Sequence, residues 1–290
     1  MAKARCLLAG ERLGLFDALA SGPREVDDLA ESLSCNADGL RVLVRALVDV
    51  GVVTVRHGRV AMRARIAPDI VRFLEDEWRW LGELDHRVKH GGTDAHHAPQ
   101  PDGFRERYDR ALVAALGETP EELARIVPVS RSPERLLDVG GGHGLVAAAF
   151  RERYPGLHAD VLDLVAPEHP VDGVQYRQGD LRTTEWGTGY DVVLLVLVLR
   201  HLDKSECGEA LLRAAGALLS GGTVAIVEPR APTARSGEGL REVFHWLASG
   251  RPAHGGAAVR GWLRDAGFRG VRVLSLASAP ATILVTGFKT

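Results

Sequence analysis

A chain of 290 residues with 46% hydrophobic side chains is long enough for two domains or one large one, and it can fill a sizeable core. Its formal net charge of -2 gives no electrostatic reason to expect nucleic acid or an anionic membrane as a partner. The longest apolar run is far too short to span a bilayer and no signal-like stretch opens the chain, so a cytoplasmic protein is expected; Cys6, Cys35 and Cys207, scattered without metal or redox spacing, fit reduced thiols there.

Residues 1–65 read as a winged helix. A helix is expected over Ala4 to Leu19, and its apolar positions Leu8, Leu15, Phe16 and Leu19 have no obvious partner in a lone winged helix. An isologous contact between two copies would bury them. Glu25 to Leu33 is a short amphipathic helix, Asn36 caps a second from Ala37 to Val50, and Gly51 stops it. Val52 to Val55 and Arg59 to Met62 form a hairpin around His57-Gly58. Such a unit can bind DNA, which requires a basic face for phosphates. Here Arg41 and Arg45 stand against Asp38 and Asp49, and the preceding helix is acidic through Glu25, Asp27, Asp28 and Glu31. A homodimer is therefore expected, with neither nucleic acid nor membrane as partner.

Residues 66–129 read as mostly helical. Trp78, Trp80, Leu81, Leu84 and Val88 make one face, and Phe104, Tyr108, Leu112 and Leu116 another. His86, His90, His96 and His97 invite a metal reading. No carboxylate recurs at ligand spacing, and His96 and His97 fall in a polar loop, so no metal is expected.

The stretch Leu136-Leu137-Asp138-Val139-Gly140-Gly141-Gly142-His143-Gly144 carries the most information. Arg135 to Val139 reads as a buried strand, and Leu145 to Tyr154 as a helix with Val146, Ala149 and Phe150 on one face. Glycines between them let the backbone approach a ligand and aim amides at it. Gly140-x-Gly142-x-Gly144 is the arrangement of class I methyltransferases that use S-adenosylmethionine (SAM), yet Gly142-x-Gly144-x-x-Ala147 also meets a dinucleotide fingerprint. Asp163, ending the apolar run His158 to Leu164, sits where either fold sets a carboxylate against ribose hydroxyls.

The downstream chain decides between them. Gly179-Asp180-Leu181 follow a third strand, Val174 to Arg177; Tyr190-Asp191 open the apolar run Val192 to Leu199; Gly221-Gly222 precede a fifth strand, Thr223 to Glu228. The last two strand-like runs, Val271 to Ala277 and Ala281 to Phe288, are separated only by Ser278-Ala279-Pro280. So short a connection requires an antiparallel hairpin. A terminal antiparallel hairpin on a parallel sheet is the methyltransferase arrangement, whereas a nicotinamide enzyme continues its crossovers into a second half. The expected fold is α/β: a Rossmann-like class I methyltransferase sheet over 130–290, a helical linker over 66–129 and the α-helical winged-helix domain over 1–65.

From about Trp80 onward the chain resembles the plant and bacterial small-molecule O-methyltransferases of the caffeate and acetylserotonin type, in their bacterial natural-product branch. The matching pieces are Leu137 to Gly144, Val161-Leu162-Asp163-Leu164, Gly179-Asp180, the block Asp191 to Cys207, Gly221-Gly222-Thr223 leading to Val227-Glu228, and Ala266-Gly267-Phe268. The first 65 residues resemble that family's dimerisation domain. Relatives usually carry more helix ahead of it, so a weaker dimer is expected.

The resemblance implies a set of roles. The linker helices roof the substrate pocket with Trp80, and Phe244, His245 and Trp246 occupy the region that clamps an aromatic substrate. Asp163, flanked by Leu164, accepts hydrogen bonds from both ribose hydroxyls, worth about 1.5–3 kcal/mol each. Asp180 accepts from the adenine amino group while Leu181 packs on the ring, and the amides of Gly140 to Gly144 hold the amino-acid end. Asp138 either anchors that loop or faces the cofactor. An adenine-contacting lysine of plant relatives is Val196 here.

At the catalytic position the chain departs from its relatives. Those that methylate phenols carry Leu-His-x-Trp-x-Asp after the fourth strand; aligning on Asp191 and Cys207 puts Arg200 in the histidine's place, followed by His201-Leu202-Asp203. Arginine stays protonated and cannot act as general base, a loss that typically costs about 10²- to 10⁴-fold in rate. Neighbours at a strand end point to opposite sides, so one of Arg200 and His201 is expected to face the pocket. Glu228 takes the place of a glutamate that orients the histidine, and it is positioned to pair with Arg200; the family's second acid gives way to the stretch His254 to Val259.

Two functions follow. One is a SAM-dependent O-methyltransferase acting on a hydroxylated aromatic or polyketide-like molecule in secondary metabolism, working largely by proximity. The other is a methyltransferase-fold enzyme that keeps SAM and uses Arg200 to stabilise negative charge in an elimination, cyclisation or decarboxylation. A winged-helix regulator sensing a SAM-like ligand is disfavoured by the missing basic face.

Overall fold

The computed structural model describes residues 2–91, 100–232 and 239–290, so His96 and His97 lie outside the described residues. The chain divides into two compact units, Met1–Arg79 with Pro101–Ala115 and Trp80–Gln100 with Leu116–Thr290.

The first unit opens with two helices, α1 (Ala2–Arg12) and α2 (Leu15–Ala20), where the apolar pattern predicts one. Gly14 makes the break: it is left-handed at φ 71, and its amide closes on the Glu11 carbonyl at 2.9 Å. The bend corrects the expected interface as well. Leu8, Leu15, Phe16 and Leu19 are only 4%, 0%, 6% and 2% exposed within this unit. The last three pack with Leu29, Leu40, Val44, Leu47, Val53 and Val60. They therefore have partners inside one copy of the chain. Leu15→Ala should cost about 2–5 kcal/mol of stability in urea denaturation; a purely intersubunit role would leave the unfolding of a dilute monomer unchanged.

The following elements match the sequence pattern to within a residue or two. A two-residue β1 (Arg24–Glu25) leads into α3 (Val26–Ser32), and α4 (Ala37–Val50) begins where the Asn36 side chain accepts the Gly39 amide. Gly51 ends α4 in the left-handed conformation. β2 (Val53–Arg56) and β3 (Arg59–Met62) pair antiparallel about His57 and Gly58, and β1 joins the far side of β3. Residues 66–129 hold α5 (Pro68–Gly82), α6 (Leu84–His90), α7 (Phe104–Leu116) and α8 (Thr119–Ile126). The break at Glu83 divides the expected apolar face: Trp80 is 3% exposed, but Val88, one helix further on, is 68% exposed. His86 and His90 are both exposed on α6, with rings 4.6 Å apart. Among the described residues no group of three or more potential metal ligands occurs, and no helix is long and apolar enough to cross a membrane.

The second unit is built on a seven-stranded sheet. Its elements are β4 (Arg135–Val139), α9 (Leu145–Arg153), β5 (His158–Asp163), β6 (Val174–Gln178), β7 (Tyr190–Val196), α10 (Lys204–Ala217), β8 (Leu218–Pro229), α11 (Gly239–Ser249), α12 (Gly256–Asp265), β9 (Arg269–Ser275) and β10 (Thr282–Phe288). The order is β6-β5-β4-β7-β8-β10-β9, parallel except that β10 runs antiparallel between β8 and β9. The apolar runs are continuous because both faces are covered. Leu137, Val139, Val193 and Leu195 enter one core, and Leu136, Val192 and Leu194 the other. The Asp191 carboxylate fixes the start of β7 against β4 by accepting the amides of Glu134 and Arg135 at 2.8 and 3.0 Å. Glu122 of α8 holds the final hairpin, accepting the amides of Ala277 and Ser278 at 2.8 and 2.7 Å. Strand order reverses between β4 and β7, and ligands of such sheets bind in the crevice beyond the carboxyl ends of the strands at that point.

Candidate active site

Gly140 and Gly144 are glycines for a steric reason. Gly140 leaves β4 at φ 70, and a Cβ there would stand 2.5 Å from the Val198 Cγ2 beyond β7. The loop thus closes directly over the point where strand order reverses. At Gly144, which starts α9 at φ 77, a Cβ would stand 2.3 Å from the Tyr176 hydroxyl. That hydroxyl accepts the Val171 amide at 2.9 Å and donates to the His143 carbonyl at 3.0 Å. Tyr176 therefore clamps the loop from β6, a contact the glycine pattern does not reveal.

Asp163 anchors the same loop, accepting the Gly142 amide on Oδ2 at 2.9 Å and the Val165 amide on Oδ1 at 3.1 Å. A carboxylate offers about four acceptor sites, so it retains capacity for two hydroxyls. Beside it Leu164 is 38% exposed, an apolar side chain left at the rim of the crevice. Asp180 follows β6, and Arg182 holds it with Nη2 to Oδ2 at 2.7 Å and Nε to Oδ1 at 3.0 Å. Leu181 packs against the core, and its carbonyl accepts the Trp186 indole N–H at 2.9 Å.

Asp138 is fully buried in β4 against Gly141, where a Cβ would stand 2.6 Å from its Oδ2; neither oxygen makes a hydrogen bond of good geometry, the Ala147 amide being its nearest donor. Burial pushes its carboxyl up to about 7, the negative charge of Asp163 adds to this, and the Ala147 amide pulls the other way. Such a group is stabilised by a positive charge nearby. The cradle as a whole fits SAM: glycines that permit close approach, an acid with spare acceptor sites, and an orphaned carboxylate for a cationic ligand.

The chain after β7 does not continue as a strand end. Leu197 takes the left-handed conformation at φ 59, an uncommon state for a leucine, and Leu199–His201 form one turn of 3-10 helix. Successive residues of such a turn are about 120° apart, so the expected alternation between Arg200 and His201 does not apply. Arg200 is 8% exposed and His201 half-buried.

The expected Arg200–Glu228 ion pair is also absent. Glu228, fully buried in β8, accepts the Leu199 amide on Oε1 at 2.7 Å; its Oε2 and the Arg200 Nε have no hydrogen-bond partner. Burial pushes the Glu228 carboxyl up to about 7, against the pull of the Arg200 charge and the amides of Leu199, Arg200 and Val198.

Two further histidines, His245 and His254, belong to this neighbourhood. His254, where the family's second acid is lost, donates from Nε2 to the carbonyls of Leu199 and Leu202 at 3.0 and 3.3 Å, bracing the turn that carries Arg200. It stands just ahead of α12, which Gly255 caps and Gly256 begins. His245 lies on α11, where burial, then the charges of Arg200 and Arg241, push its pKa down to about 4. Phe244 and Trp246 are half-buried on the same helix. Positions two apart are about 200° apart around a helix, so one pocket wall receives one of them.

A methyltransferase-domain family model matches residues 104–273, and an O-methyltransferase dimerisation-domain model matches residues 1–65. The chain is 28% identical to the 3-hydroxy-5-methyl-1-naphthoate 3-O-methyltransferase of Streptomyces sahachiroi, over 99% of this chain and 92% of that protein. It is also 28% identical to the mitomycin biosynthesis 6-O-methyltransferase of Streptomyces lavendulae, over 74% and 71%. Human N-acetylserotonin methyltransferase, solved with SAM, shares the fold with a TM-score of 0.81 at 19% identity, over 99% of this chain and 93% of that one. The chain belongs to the SAM-dependent O-methyltransferase family, a class I methyltransferase preceded by that family's dimerisation domain.

Proposed function

We propose that this enzyme methylates a hydroxyl of an aromatic or polyketide-like small molecule in secondary metabolism, as a cytoplasmic homodimer associated through residues 1–65. The observation that carries the reading is the glycine cradle set against Asp163 and the orphaned Asp138 at the strand-order reversal. The naphthoate and mitomycin methyltransferases among its relatives point to the aromatic substrate class.

SAM, when bound, supplies a methyl group on an electrophilic sulfonium. The amides of Gly140, Gly142 and Gly144 hold its amino-acid end, Asp163 orients the ribose, and Leu164, Asp180 and Leu181 frame the adenine. Asp138 supplies the counter-charge. Arg200, His201 and Glu228 shape the acceptor side, with Trp80 and one of Phe244 and Trp246 as substrate contacts. With methyl-deuterated SAM and a panel of hydroxylated aromatics, mass spectrometry should show one labelled methyl per product and an equal amount of S-adenosylhomocysteine. A transformed acceptor without the label, or SAM left unconsumed, would favour the non-methylating reading. Sedimentation at micromolar concentration should give a dimer; a monomer would oppose the assembly.

Asp138 also predicts a pH dependence. A cationic ligand favours the ionised carboxylate, so SAM affinity should rise as pH passes through about 7, where Asp138 ionises. Asp138→Asn should bind SAM more weakly and lose that part of the rise when parent and variant are titrated by calorimetry from pH 6 to 8; the same slope in both would remove Asp138 from the site.

A further inference from the structure

We propose that the free edge of β9, set among four arginines, takes up an extended acidic segment of another protein as a further strand of the sheet and so tethers the enzyme to that partner. This goes beyond methyl transfer and does not depend on it.

The stretch from Arg260 to Arg272 holds four arginines, Arg260, Arg264, Arg269 and Arg272, against the single acid Asp265, in a chain whose formal net charge is -2. Its positive charge is therefore local. All four are exposed, and among the described residues none of them enters an ion pair within the chain. Arg260 and Arg264 stand one turn apart on the same face of α12. Arg264, Arg269 and Arg272 line one groove of about 510 Å³ where α12 gives way to β9. β9 closes the sheet order, so it is paired with β10 along one side and with no strand along the other. Alternate amides and carbonyls of that free side point outward. Val273 and Leu274, each 39% exposed, add apolar side chains on the two faces of the same strand.

An open edge of this kind binds an extended segment through main-chain hydrogen bonds, while the alternate side chains of the added strand give specificity. Carboxylates on that segment meet the arginines. A second copy of β9 would set its own arginines against these, so like charges oppose self-pairing. Nucleic acid fits less well, because β9 carries no aromatic side chain on which a base would stack. The sheet also places the edge away from the catalytic crevice. β9 runs antiparallel to β10 and β10 antiparallel to β8, so β9 points the same way as the parallel strands. Arg269, at its start, is level with their beginnings, whereas the crevice lies beyond their carboxyl ends. Three strand spacings, roughly 14 Å, further separate β9 from β7. A segment bound there leaves the crevice open, which suits a tether rather than a carrier that presents the acceptor.

The probe is a fluorescein-labelled synthetic peptide of alternating glutamate and valine, titrated with the full chain and followed by anisotropy. It should bind, with an affinity that falls as salt is raised. Arg269→Ala combined with Arg272→Ala should weaken binding on the order of 10-fold, as the loss of two exposed ion pairs implies, with thermal stability and SAM affinity unchanged. A version with lysine in place of glutamate should not bind, and one with a central proline, which removes a ladder donor, should bind more weakly. Hydrogen exchange of the parent with the peptide bound should slow at the amides of β9. No binding of the acidic peptide would mean that the arginines only guard the edge, and it would overturn the proposal. So would equal binding of the lysine or proline version, an unaffected double variant, protection elsewhere than β9, or tighter binding of duplex DNA to the same arginines.

Discussion

Gly144→Ala should weaken SAM binding by at least about 100-fold, or about 2.7 kcal/mol, while Gly142→Ala, two residues earlier in the same loop, should cost far less. Both glycines are left-handed, at φ 77 and φ 51, so each alanine bears a backbone strain of roughly 1–2 kcal/mol. Only at position 144 does the new methyl meet an obstacle, 2.3 Å from the Tyr176 hydroxyl and 3.1 Å from its ring carbon. Tyr176 cannot swing aside without giving up its bonds to the Val171 amide and the His143 carbonyl. The loop must open instead, displacing the amides that meet the ligand. At Gly142 nothing stands within 4 Å. Calorimetry with SAM and thermal denaturation of both variants separate the effects. Equal losses would mean that backbone strain alone governs the loop.

Asp163→Ala carries the second large effect. Two charge-assisted bonds to ribose, at about 1.5–3 kcal/mol each, predict a loss in SAM affinity of about 10²- to 10⁴-fold. The Gly142 amide loses its partner too. Asp163→Asn can still accept that amide and should fall between parent and alanine variant. Asp180→Ala should cost less than Asp163→Ala, because Arg182 already occupies the Asp180 carboxylate. Parent-like affinity in Asp163→Ala would remove ribose from this residue.

The sheet and the cradle were legible in the sequence where a local rule operates. Arg135–Val139 is the strand its apolar run predicts, and β9 and β10 pair antiparallel as the short link between them requires, although that link runs over 276–281 rather than the three residues expected. Asn36 and Gly51 bound α4 as cap and stop. What escaped was set by contacts distant in the chain. Leu15, Phe16 and Leu19 looked unpartnered because a straight helix would have carried them outward, and only the turn at Gly14 folds them into the core. Arg200 was assigned a strand's alternation, which ends at the left-handed Leu197. Glu228 was expected to meet Arg200, but the Leu199 amide of the same turn takes its Oε1. His254 could be noted only as a replacement for an acid, since its partners lie 55 and 52 residues away.

Titration of the parent protein with SAM and, separately, with NAD in a calorimeter tests the central claim most directly, because the glycine loop and Asp163 admit either ligand on pattern alone. The account predicts one SAM per chain, affinity for S-adenosylhomocysteine at the same site, and no heat from NAD. Tight binding of NAD with none of SAM would contradict it.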